Sequence, residues 1–153
     1  MEKVIDKSLK QENYRTQKVR LKKAIAMEFY FEAIAIEYSI LEDRAKSALE
    51  HAGLKAIDKN GDAIMLAKKL AKLESCEPFH PKVVRNKMPL ELISRIHDWR
   101  RERNRLIHAL LGQKTTTEDF KQAAEEGYEL VKQFDNKVAC LNRYFDKQKE
   151  IDK

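Results

Sequence analysis

A chain of 153 residues, 42% hydrophobic and 37% charged, is long enough for one domain with a buried core and reads as a globular chain with a heavily charged surface. Four glycines and three prolines are too few for a turn-rich β fold and favour long uninterrupted helices. The net charge of +6 is compatible with a polyanionic partner, but 25 acidic residues are mixed among the 31 basic ones, so most of the charge reads as solvated surface.

Residues 1–16 are polar and basic and read as an arm or a short helix ahead of the domain. Met1-Glu2-Lys3-Val4-Ile5-Asp6 has no apolar signal core, and no apolar run approaches the roughly 20 residues of a membrane span, so the expected location is cytoplasmic with no membrane partner. Cys76 and Cys140 lie far apart in sequence and read as free thiols of a reducing compartment. A long helix is expected from about Gln17 to Ala52, stopped by Gly53. Its middle, Phe29 to Ile36, is apolar almost all round, as in a helix with neighbours on more than one side.

Asn60-Gly61-Asp62 reads as a turn and N-cap for a second helix over 63–74, with Ala63, Leu66, Ala67, Leu70 and Leu73 as its buried stripe and Lys68, Lys69 and Lys72 elsewhere. Residues 75–88, with two of the prolines, read as a loop. Pro89 opens a third helix that ends near Gly112. Thr115-Thr116-Thr117-Glu118-Asp119 is a capping signal for a fourth, over 118–149. Its apolar positions (Phe120, Ala124, Gly127, Val131, Phe134, Val138, Leu141, Phe145) alternate spacings of four and three, a knobs-into-holes seam in which Gly127 permits close helix approach. The expectation is an all-α, up-and-down bundle of four main helices: one domain over 17–149, with a tail at 150–153.

The third helix concentrates the chemistry. At about 100° per residue, Leu92, Ile96, Trp99, Leu106, Ile107 and Leu110 form one apolar sector, with Arg103 at its centre. A guanidinium there must pair with an acid, line a cleft or meet a partner subunit, because an unpaired buried charge is costly. His97, Arg101, Asn104 and His108 form an adjoining stripe. Arginine can grip a phosphate and an imidazole can move a proton near neutral pH. The bland alternative is an Arg103 that snorkels along the core and a His108 that caps the helix C-terminus.

Arg103-Asn104-x-x-x-His108, near the end of a late bundle helix, resembles the RNxxxH form of the R-x(4–6)-H motif of HEPN domains. The flanking text, Leu92 to Glu102 and then Leu106-Ile107, is similar to the helix that carries that motif, and the long first helix fits the family's opening segment. The resemblance implies a metal-independent endoribonuclease without a cofactor, usually a homodimer in which two copies of the motif face each other. Such proteins are often toxins or anti-phage effectors, so RNA and an antitoxin are the expected partners. The 2′-OH of RNA is the nucleophile. His108 would be general base or acid, Arg103 would stabilise charge on the phosphoryl oxygens, and Asn104 would orient His108 or the phosphate. The products would be a 2′,3′-cyclic phosphate and a 5′-OH. Arg101 also satisfies the looser motif, six residues before His108, and can share phosphate binding.

Other residues admit two readings. Glu37 lies in an apolar sector of the first helix with Arg44 about 20° away on the wheel. The pair is either a structural ion pair or edge charge, or Glu37 holds Arg103 or His108 in position. Cys76, His80 and His97 lack the second ligand pair of a zinc site, so no metal is expected. His51 reads as a helix cap. Lys68, Lys69 and Lys72 with Arg95, Arg100 and Arg105 either guide an RNA backbone or form a solvated basic face. Against the ribonuclease stand two other functions: a non-catalytic helical module binding nucleotide, RNA or protein, and an assembly protein joined through the heptad-patterned fourth helix.

Overall fold

The computed structural model describes residues 7–75, 81–110, 112 and 116–152. Among them the chain is all-helical, with α1 (Lys7–Ala26), α2 (Tyr30–His51), α3 (Leu66–Ser75), α4 (Pro81–Lys87), α5 (Leu90–Ala109) and α6 (Thr117–Ile151). An isolated bridge pairs Ile57 with Ala63 in the connection before α3. No described helix is long and apolar enough to cross a membrane.

The longest helix is α6, and its start is fixed by a capping box. Thr116 Oγ1 accepts from the Asp119 backbone N–H at 3.2 Å, and Asp119 Oδ2 accepts from that of Thr116 at 3.1 Å. The seam read from the sequence faces inward from Ala124 to Phe145, with Phe120 half-buried at its end. Side-chain pairs give the helix directions. Asn142 donates to Ser47 at 3.1 Å and His51 meets Asp146 at 2.7 Å, so α2 and α6 run parallel. Trp99 Nε1 donates to the Ala123 carbonyl at 2.8 Å, and Arg95 reaches Glu126 and Gln133 at 3.1 Å each, so α5 runs antiparallel to α6. The ion pairs Lys10–Asp43 (3.5 Å) and Arg20–Glu32 (3.0 Å) set α1 antiparallel to α2.

The helix expected over 17–52 is in fact two helices. Glu28 adopts the left-handed conformation with φ 61°. The Glu28 N–H then bonds to the Ile25 carbonyl (3.1 Å) and the Phe29 N–H to the Ala24 carbonyl (2.8 Å), a Schellman ending that folds α2 back along α1. Glycine normally marks this position, and a glutamate gives no such signal. The residue carries a backbone penalty that glycine lacks. Glu28→Gly should therefore raise stability by about 0.5–1 kcal/mol, read as a shift of the urea midpoint with unchanged slope.

Three further boundaries differ. Residues 7–16, expected as an arm or a short helix ahead of the domain, are helical and continuous with α1, where Lys10 pairs with Asp43 and the Tyr14 ring packs under Lys18 and Arg44 at 4.7 Å each. The expected loop 75–88 contains α4, with Pro81 as its first residue and Val84 and Met88 buried. The second helix starts at Leu66 rather than near Ala63, which is exposed. Its inward stripe is Leu66, Lys69, Leu70 and Leu73, the i, i+3, i+4, i+7 face.

Candidate functional site

The α5 helix orders the motif residues by angle. Asn104 and His108 are one turn apart on one stripe, with Arg101 beside them, whereas Arg103 lies about 140° around the helix from His108. Burial follows that geometry: Arg101 and His108 are exposed, Asn104 and Arg103 are half-buried. His108 makes no side-chain hydrogen bond or ion pair among the described residues. Asn104 connects the two sides of the helix, because its Oδ1 accepts from Arg103 Nη1 at 3.0 Å.

Arg103 pairs with no acid among the described residues, although an acid was one of the three outcomes its place on the apolar sector left open. Its guanidinium lies 4.2 Å from the ring centroid of Tyr38 on α2, and its Nε is buried without a hydrogen-bond acceptor. An aromatic face attracts the cation and tolerates its flat, weakly hydrated surface. Burial pushes the Tyr38 hydroxyl up and Glu42 adds to this, opposed by the positive charge of Arg103 and Arg100. Tyr38 was missed in the sequence because no motif distinguishes it from its neighbours on α2.

Glu37 does not reach the motif. It is fully buried, both carboxylate oxygens lack a hydrogen-bond partner, and the side chain lies against Gly127 and Trp99 rather than Arg103 or His108. Burial alone raises its carboxyl to about 10. Arg44 pairs with Asp43 at 2.7 Å, not with Glu37. His97 Nε2 lies 3.0 Å from Glu74 Oε1 on α3, so this member of the stripe serves helix docking. His51 is paired with Asp146 at 2.7 Å instead of capping α2. Cys76 and His80 lie outside the described residues. Among the described residues no three His, Cys, Asp or Glu side chains converge as a metal site would require.

The basic residues expected to guide RNA divide. Lys69 is buried and paired with Glu42 at 3.3 Å, and Lys72 donates to the Lys55 carbonyl at 2.9 Å. Arg105 is held by Glu102, and Arg95 by Glu126 and Gln133. Arg100 is half-buried, with its Nε lacking an acceptor. Lys68 alone of the six is exposed and free of an ion pair among the described residues. A groove of about 370 Å³ between α5 and α6 carries Asp98, Glu102, Asp119 and Glu126 against the single cation Arg95. It turns roughly 100° away from His108 around α5, and its charge repels a phosphate backbone from that side.

Arg101 remains the accessible cation of the stripe. Its pair with Asp98, at 3.0 Å, is 65% and 72% exposed on the two sides, so water screens it and a phosphate can displace the carboxylate. The surface thus presents an open arginine, an amide and a lone imidazole, with a second guanidinium braced behind the amide. The sequence matches no protein-family model, no curated protein and no solved structure.

Proposed function

We propose that the protein is a HEPN-like endoribonuclease, its long helices forming the up-and-down bundle of that family, and that it cleaves RNA by attack of the 2′-oxygen on the adjacent phosphorus. The observation that carries this reading is the lone imidazole of His108 beside Arg101 and Asn104 on the exposed stripe of α5. RNA brings its own nucleophile, so the step needs a proton acceptor, a proton donor and a cation, and no metal. The P–O2′ bond forms as one imidazole takes the 2′-proton. The P–O5′ bond breaks as a second imidazole protonates the leaving oxygen. His51 and His97 are engaged by Asp146 and Glu74. Among the described residues each copy therefore offers His108, and two copies facing one another supply both groups. In this reading the protein acts in the cytoplasm as a toxin or defence effector, held in check by an antitoxin.

Arg101 contacts the phosphate, and Arg103 orients Asn104 from within the bundle. In buffer containing EDTA, wild type should convert RNA to fragments ending in 2′,3′-cyclic phosphate and 5′-OH. His108→Ala should lower the rate about a hundredfold or more. Arg101→Ala should mainly raise KM, whereas Arg103→Ala should lower kcat and thermal stability together. Equal cleavage by wild type and His108→Ala would refute the assignment. The burial of Arg103 against Tyr38 favours a second reading, a non-catalytic RNA-binding module. RNA binding with no cleavage by wild type would select it.

A further inference from the structure

The charge of this chain is not spread evenly. The α1 helix carries seven of the 31 Lys and Arg residues and one of the 25 acids, which leaves 24 of each on the rest of the chain. The whole net charge of +6 therefore sits on one helix. The inward side of α1 is apolar, with Leu21 and Ala24 buried and Ile25 packed on the core. Lys10, Lys18 and Arg20 are tied to Asp43, Asp135 and Glu32. Arg15, Lys22 and Lys23 are exposed and make no ion pair among the described residues. They fall within about 100° of one another on the outward face, over a rise of about 12 Å.

The C-terminal end of α1 adjoins exposed aromatic surface in the chain. The Schellman turn that ends α1 places Met27, Phe29 and Phe31 in the open, each about half exposed. Phe31 meets Phe120 with ring centroids 6.4 Å apart, and with Phe29 and Leu110 they line a groove of about 640 Å³ that also carries Glu28 and Glu32, the latter paired with Arg20, so the groove takes bases rather than phosphates. Leu110 is the C-cap of α5, two residues beyond His108.

We propose that the outward face of α1 and this aromatic groove form a binding track for single-stranded nucleic acid, with Arg15, Lys22 and Lys23 on the backbone and Phe29 and Phe31 stacking bases. Unpaired cations bind phosphates regardless of sequence, and exposed rings accept any unpaired base. A duplex keeps its bases stacked inside and would leave the phenylalanines unused. A membrane-surface helix needs a broad apolar face next to its cations, and Val19 is the only large apolar residue among Arg15, Lys22 and Lys23. Leu110 lies about 160° around α5 from His108, so the track is a binding surface separate from the Arg101–His108 stripe and does not depend on the ribonuclease reading.

The test is fluorescence anisotropy with a labelled single-stranded RNA of about 12 nucleotides, in a His108→Ala background so that cleavage does not interfere. Arg15→Gln/Lys22→Gln/Lys23→Gln should weaken binding at least tenfold and lower the slope of log affinity against log salt by about 2. Phe29→Ser/Phe31→Ser should weaken it about tenfold with the salt slope unchanged. Arg143→Gln/Lys147→Gln/Lys149→Gln removes the same charge from exposed sites on α6 and should change affinity less than threefold. Circular dichroism checks that each variant stays helical. Equal losses in the two triple variants, no loss in the first, or binding to anionic vesicles in place of RNA would overturn the proposal. Tight, α1-dependent binding without cleavage by the His108-containing protein would support the track and remove the nuclease.

Discussion

Replacing Glu37 with glutamine should stabilise this protein at neutral pH and abolish a stability gain that wild type shows on mild acidification. Glu37 is fully buried among α2, α5 and α6, neither oxygen is hydrogen-bonded, and burial raises its carboxyl from 4.5 to about 10. The sign follows from proton counting. Between those two values the folded chain holds a proton on Glu37 that the unfolded chain has lost, so folding takes up a proton. Stability is then greatest below the unfolded value and falls as pH rises toward 10, by about 1.4 kcal/mol per pH unit for this one group. From pH 5 to pH 7 the loss is about 3 kcal/mol, a large share of an ordinary domain's stability. Glutamine has the same shape and never ionises. Glu37→Gln should match wild type near pH 5 and exceed it by about 3 kcal/mol at pH 7, measured by urea unfolding at both values. Asp43 and Glu102 carry the opposite linkage and are common to both proteins. Burial would raise Asp43, but hydrogen bonds from Arg44 and Lys10 bring it below the usual range, and the Arg105 hydrogen bond lowers Glu102. The difference between the two proteins therefore isolates Glu37, and parallel pH profiles would show that its carboxyl is solvated or paired.

How far the sequence revealed the fold depends on which interactions decide each feature. The α6 seam was readable because a buried face repeats at the helical period, and the Thr116–Asp119 box because capping is local. Glu28 was unreadable because its left-handed φ is imposed by the antiparallel packing of α1 on α2, against its own preference. Lys69 has the residue type of a surface position but the spacing of the α3 stripe, and spacing decided it once Glu42 was there to pair. The stripe of Arg101, Asn104 and His108 followed from helix arithmetic alone. The partner of Arg103 did not, because wheel position says that a side chain points inward but not what it meets. An acid, a cleft or a partner subunit were the expected answers, and the Tyr38 ring is the observed contact. Glu37 is the converse case, an acid placed inward with no cation to meet it.

The close approach at Gly127 should make Gly127→Ala one of the most damaging single-methyl additions in the chain. A Cβ at that position would overlap Glu37 Oε1 and lie 2.7 Å from its Cδ and 2.9 Å from Trp99 Cε2. None of these neighbours can yield easily. Trp99 is 3% exposed and its indole N–H is bonded to the Ala123 carbonyl, so rotating the ring would leave a buried donor unsatisfied. Glu37 is enclosed on every side and has no solvent to move into. Overpacking of this kind costs about 1–3 kcal/mol, offset only slightly by the higher helix propensity of alanine in a 35-residue helix. A double-mutant cycle assigns the cause. Glu37→Ala deletes the two nearest clashing atoms, so Gly127→Ala should be tolerated at least 1 kcal/mol better on the Glu37→Ala background than on wild type. An additive cycle would place the clash on Trp99 alone. Because Trp99 is the only tryptophan, its fluorescence reports the local repacking directly, and the spectrum should shift in Gly127→Ala and return toward wild type in the double variant. Glu37 and Trp99 meet α6 at Gly127 and hold α2, α5 and α6 in register, so a loosened junction would also move Tyr38 relative to Arg103, one turn of α5 beyond Trp99. Gly127→Ala should therefore disturb the bracing of Asn104 without touching any residue of the exposed stripe.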